Sequence, residues 1–220
     1  MNKKLLSCLC FIALLGSIAY GQKKKTKEIP TVGSRISMPS SGELAGKLEE
    51  RDEYKVYSSI LIDLFSDNNG RALVLRRLTD NRTVTDFNNS KILSSVDYSF
   101  PQLTAKTLSD FVNKNEKSYE LLGEYFDTAN KVILVADTQN VTSGAKSCEE
   151  SWKKFYRAYP TARGYMILTR AGFNPEKSQA FVYVQYWIDC KEGGGEFYFL
   201  QKDGDNWKVT KTLTMWINGS

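Results

Sequence analysis

The chain has 220 residues, 41% hydrophobic and 25% charged, and no histidine; this is the profile of one globular domain, and it excludes catalysis or metal ligation through imidazole. Six of its 30 basic residues (Lys3, Lys4, Lys23, Lys24, Lys25 and Lys27) flank the first hydrophobic run, leaving 24 basic against 25 acidic residues from Glu28 onward, a net of −1. A body so nearly neutral has no summed field to draw a phosphate backbone, so nucleic acid is not an expected partner.

Residues 1–21 read as a secretory signal peptide. Lys3 and Lys4 form its charged start, Leu5 to Ile18 its apolar run, and Ala19-Tyr20-Gly21 its small-residue cleavage site, so the mature chain is expected to begin at Gln22. Cys8 and Cys10 lie inside the apolar run rather than after it, which argues against lipidation. No second apolar stretch approaches the roughly 20 residues of a membrane span, so the mature chain is expected to have no transmembrane helix. Residues 22–39, with a lysine run, Pro30, Gly33 and Pro39, read as a flexible basic tail. Residues 40–220 are left as a single α+β domain.

Within that domain Ser40 to Glu43 has the form of a capping box. Tyr54, Tyr57, Leu61, Leu64 and Phe65 then recur at helical spacing until Asp67-Asn68-Asn69-Gly70. The acidic group Glu49, Glu50, Asp52 and Glu53 on this helix reads as a solvated face. Arg71 to Leu78 is a short apolar strand, and Asp80 to Gln102 a long polar loop. A second helix starts at Thr107 and carries Leu108, Phe111, Val112, Tyr119, Leu122 and Phe126. Lys131 to Ala136 is a strand. Ser147 caps a third helix whose Trp152, Phe155, Tyr156 and Tyr159 share one side before Pro160.

The last third changes character. Tyr165 to Arg170, Gln179 to Asp189, Glu196 to Gln201 and Trp207 to Ile217 are aromatic, β-branched runs separated by turn residues, which predicts an antiparallel meander. The expected architecture is about three helices packed on a curved antiparallel sheet. Glu192-Gly193-Gly194-Gly195-Glu196 reads as a flexible hairpin connection and Lys202 to Asn206 as a second one.

Cys148 and Cys190 are the two cysteines beyond the signal, and in an exported chain a disulfide between them is the first expectation, two buried free thiols the alternative. Two thiols without histidine or clustered carboxylates make no metal site, and no cofactor is expected. Ser143-Gly144-Ala145-Lys146 has the S-x-x-K form of Ser/Lys acyl-transfer enzymes and Ser66-Asp67-Asn68 an S-D-N, but their order is reversed and no K-T-G follows.

Phe155 to Pro160 (FYRAYP), Leu168 to Asn174 (LTRAGFN), Gln179 to Val184 (QAFVYV) and the Gly- and Tyr-bearing stretch from Gly195 to Trp207 together resemble a bacterial family of exported, uncharacterised single-domain proteins. That resemblance implies export and brings no activity with it. At Asp189 to Gly195 the chain has one cysteine where the family has a cysteine-containing glycine-rich turn.

Phe181, Tyr183 and Trp187 alternate onto one strand face opposite Val182, Val184 and Ile188. With helices over the aliphatic face, the aromatic face becomes a recognition groove; with helices on both, it is core. The residues selected for binding are Arg157, Tyr159, Arg170, Tyr183 and Trp187. The functional reading is a non-enzymatic binding or envelope-associated module in the periplasm or secreted, taking an unknown protein or small-molecule ligand. The alternative is a small hydrolase using carboxylates or a Ser/Lys pair.

Overall fold

A computed structural model describes residues 44–65, 70–81, 90–136 and 142–218. The segments read as signal peptide and tail, the expected capping box at Ser40 to Glu43 and the S-D-N at Ser66 lie outside them. In chain order the elements are β1 (Leu44–Lys47), α1 (Arg51–Leu64), β2 (Ala72–Arg76), α2 (Ser90–Ser99), α3 (Ala105–Lys114), β3 (Ser118–Glu120), a 3-10 turn (Gly123–Tyr125), β4 (Val132–Val135), α4 (Cys148–Ala158), β5 (Ala162–Leu168), β6 (Gly172–Phe173), β7 (Gln179–Trp187), β8 (Gly193–Asp203) and β9 (Asn206–Asn218). The fold is α+β, and its last strands form the expected meander.

The main sheet runs β4-β2-β5-β7-β8-β9, with β6 paired to β7. It is mixed rather than antiparallel throughout: β2 pairs in parallel with both β4 and β5, and the rest is antiparallel. The reason lies in the connections. β2 reaches β4 through α2 and α3, and β4 reaches β5 through α4; crossovers of that length return the chain in the same direction. Ala72, Leu73, Val74 and Leu75 are all buried, the continuous apolar run of a strand covered on both faces.

Both faces are indeed covered. On one, α1 lays Tyr54, Tyr57, Ile60 and Leu61 over Leu73, Met166, Val182 and Tyr198. On the other, α2 and α3 place Val96, Phe100 and Phe111 against Phe181, Tyr183, Phe197 and Phe199. Further along that face α4 seats Phe155 on Val74, Tyr165 and Ile167. The strand alternation expected of Phe181 and Val182 is present, and each set enters a core of its own.

Local sequence explains most boundaries. α3 begins two residues before Thr107, because the Thr104 hydroxyl accepts from the Thr107 N–H. It stops at Asn115, whose side-chain amide donates to the carbonyls of Phe111 (2.8 Å) and Arg170 (2.9 Å), so the second helix does not reach Phe126. Ser147 caps α4 by accepting from the Glu150 N–H. α2 occupies part of the expected long loop; Ile92, Val96 and Phe100 supply a narrow apolar stripe four residues apart. The glycine triplet at 193–195 is strand, not connection. A Cβ on Gly195 would lie 2.1 Å from both Trp216 Nε1 and the Tyr183 hydroxyl, so the ladder continues there because the side chains are missing.

Candidate functional site

The five residues selected from the sequence fall into two places. Arg170 and Tyr183 are buried, at 8% and 5% exposure. Arg157 is exposed near the C-terminus of α4, and Tyr159 and Trp187 are half-buried on the core beneath that helix. Tyr159 packs on Phe155 at 5.2 Å, and Trp187 stacks on Tyr165 at 6.2 Å. The proposed aromatic groove across Phe181 and Tyr183 does not exist as a surface: α2 and α3 fill it. The Tyr183 hydroxyl accepts from Trp216 Nε1 at 2.8 Å, and burial pushes its pKa to about 12.

Arg170 belongs to a charge centre at the start of α1. Its Nε donates to Glu53 Oε1 at 3.1 Å, and its guanidinium lies 4.3 Å over the Tyr119 ring. Glu53, read from the sequence as solvated, is fully buried. Its Oε2 accepts from the Ala171 N–H (3.1 Å) and lies 2.9 Å from the Tyr57 hydroxyl. Burial pushes the Glu53 carboxyl up, against the opposing pull of Arg170 and Lys114. Around this pair Lys114 reaches Glu50 (3.0 Å) and Asp110 (3.2 Å), and Lys177 reaches Glu50 (3.1 Å) and Asp52 (2.8 Å). For Glu50, burial raises the pKa, but the two lysines outweigh it and hold the carboxyl below its ordinary value. Every charge here has a partner and the central carboxylate meets no solvent, so this is a clasp between α1, α3 and the β5–β6 connection rather than a reaction centre.

The Ser/Lys alternative also lacks its chemistry. Ser143 and Lys146 are both exposed, whereas a lysine base has to be desolvated. Among the described residues no three Cys, Asp or Glu side chains stand close enough to hold a metal ion.

What remains open is a cleft of about 710 Å³ beside α4. Glu149, Trp152, Lys153, Tyr156 and Arg157 form one of its walls, at positions i, i+3, i+4, i+7 and i+8 of one helical stripe. Asp189, Cys190 and Lys191, in the turn after β7, form the other. A Cys148–Cys190 disulfide joins the walls at a Cα separation of 5.8 Å, as expected from the sequence. Tyr156 adds a second tie, its hydroxyl donating to the Ile188 carbonyl at 2.6 Å. Burial pushes the Tyr156 phenol up, with Asp189 adding to it.

The charges in this cleft are unequal in freedom. Asp189 Oδ1 accepts from the backbone N–H groups of Lys191 (2.6 Å) and Glu192 (2.8 Å), an Asx turn. The Glu149 carboxyl is held below its ordinary value by its own N–H and by Ser147 at the helix start. Lys153, Arg157 and Lys191 make no direct ion pair among the described residues, though Lys191 and Lys153 lie near enough to Glu149 to help lower its carboxyl; the pair on this helix, Lys154–Glu150, lies outside the stripe. Sequence reading found Arg157 and the aromatic side of the helix but missed Lys153 and Lys191. The stripe from Glu149 to Arg157 was the available signal, and the disulfide that brings Lys191 to it was the missing distance.

Compared with family models, with curated proteins and with solved structures, the chain matches none. Among the described residues no helix is long and apolar enough to cross a membrane.

Proposed function

We propose that this protein is an exported, non-enzymatic binding module of the bacterial envelope, and that its ligand enters the cleft between α4 and the turn at Asp189 to Lys191. One observation carries the reading: the cleft gathers two half-buried aromatic rings and three cations that form no ion pair among the described residues, and a disulfide holds its walls together. The half-buried rings leave apolar surface that a ligand can cover, and the cations beside them can meet an anion. The volume is within the roughly 300–1,000 Å³ usual for ligand sites. Export is supported by the disulfide, which persists in oxidising compartments, and by the charged and apolar pattern of residues 1–21.

The test is co-sedimentation of the purified mature protein with an isolated envelope fraction. Arg157→Ala and Lys153→Ala should each weaken retention several-fold while the melting temperature stays unchanged. Retention indifferent to both substitutions would exclude this cleft as the binding site.

A further inference from the structure

Resting on that cleft as the binding site, we infer that its ligand is an acidic oligosaccharide, a chain of sugar rings bearing carboxylates. Lys153 and Arg157 stand one helical turn apart on α4, with Lys191 across from them. The two acids beside them keep their charge while their oxygens are engaged by N–H and hydroxyl groups, so the lining has three cations against two acids and an excess of positive charge for a ligand to meet. Trp152 and Tyr156 repeat at the same one-turn spacing, their ring centroids 5.7 Å apart and their planes 32° from one another. Two aromatic faces in series beside two cations in series ask for a ligand that itself repeats, with one flat apolar face and one anion per unit.

A uronic acid chain has that pattern, each ring presenting C–H groups to an aromatic face and a carboxylate to one side. An acidic peptide fits less well. Peptide recognition in a groove relies on main-chain pairing, and the backbone groups at this turn are taken: the Ile188 and Asp189 N–H groups donate to the Glu192 carbonyl, and the Ile188 carbonyl accepts from Tyr156. What is left for a ligand is ring faces and side-chain cations.

Calorimetric titration of the mature, oxidised protein with oligogalacturonate tests the inference, with maltohexaose as the neutral arm and poly-L-glutamate as the charged arm without sugar rings. Oligogalacturonate should bind and lose affinity as salt is raised, and maltohexaose and poly-L-glutamate should each bind at least about tenfold more weakly. Lys153→Glu and Arg157→Glu, both at exposed positions, should reduce oligogalacturonate affinity by about tenfold or more without altering the melting temperature; Trp152→Ala should do so as well. Equal binding of maltohexaose, equal binding of poly-L-glutamate, or no binding of oligogalacturonate overturns the ligand class. If retention on the envelope fraction still depends on Arg157 in that event, the site stands and the acidic glycan falls; if retention is indifferent to Arg157 too, both fall.

Discussion

Two groups of charge in this molecule are built from the same residue types and behave as opposites. In the clasp at the start of α1, Glu53 and Arg170 are buried, and Glu50, Asp52, Asp110, Lys114 and Lys177 close around them in direct ion pairs. At the cleft beside α4, the acids are engaged mainly by N–H groups, and among the described residues the cations form no direct ion pair. The difference teaches where charge serves the fold and where it is left for something else. Buried and mutually satisfied charge is destabilising to break; exposed and unsatisfied charge is nearly free to remove.

The largest expected effect breaks the clasp. Arg170→Ala leaves Glu53 buried without its cation and should cost about 3–5 kcal/mol, read as a lower denaturation midpoint. The double variant Glu53→Leu with Arg170→Met should recover most of that loss, since a matched apolar pair leaves no orphaned charge. A double variant as unstable as Arg170→Ala would mean that the hydrogen bonds to Tyr57 and Ala171, not the charges, hold the clasp.

Next in size is the tie that makes the cleft. Cys148→Ser with Cys190→Ser opens a loop with a sequence separation of 42, for which chain entropy predicts a loss of about 4 kcal/mol. Equilibrium unfolding checks the stability, and the cleft's ligand affinity should fall with it because Lys191 is then no longer held opposite α4. Gly195→Ala should cost about 1–3 kcal/mol through overpacking against Trp216 and Tyr183. Near-UV circular dichroism, which reports those rings, should change in parallel.

Smaller still is the pH response of the clasp's rim. Lys177 holds Asp52 below its ordinary value, and Lys114 and Lys177 do the same for Glu50 against the effect of burial. A carboxyl lowered in the folded state contributes stability above its unfolded pKa and loses it as pH falls through the folded one, so this contribution should disappear below about pH 4.5. Glu53 has the opposite sign, because burial raises it. Lys177→Asn, which suits the left-handed backbone there (φ 49°), should reduce stability at neutral pH by only about 0.2–1 kcal/mol and flatten the loss on acidification. Smallest is Arg157→Ala, expected to change stability by less than about 0.5 kcal/mol while weakening ligand binding. A large destabilisation there would move Arg157 from the second group of charges to the first.

Much of this fold was legible because local chemistry decided it. Ser147 before Cys148-Glu149-Glu150, the alternation through Phe181 to Val184, and the turn between Asp203 and Asn206 each specify their element within a few residues. What escaped was set by distant partners. Glu53 sits among Glu49, Glu50 and Asp52 and reads as surface; its burial is made tolerable chiefly by Arg170, 117 residues on, with the Ala171 N–H and Lys114 beside it. Gly193 to Gly195 reads as a loop until Trp216 and Tyr183 are seen across it. α2 shows only three apolar positions, too few to outweigh its polar neighbours. The cleft was half visible, as one helix stripe without the turn that faces it.

The packing of α1 on the meander bears on the order in which the chain can fold. The Ser59 hydroxyl donates to the Trp207 carbonyl at 2.7 Å, and Trp207 itself closes the core that begins with Tyr54. β2 likewise finds its partners β4 and β5 only after two long crossovers. The first helix meets Leu73 of the neighbouring β2 early, but Met166, Val182, Tyr198 and Trp207 reach it only as β5 to β9 are made, whereas β7, β8 and β9 pair with near neighbours through short turns. Assembly should start at the end of the chain and recruit its beginning last, a high-contact-order route that is slow by nature. The core over α1 is therefore complete only once the last strands of the chain have been made.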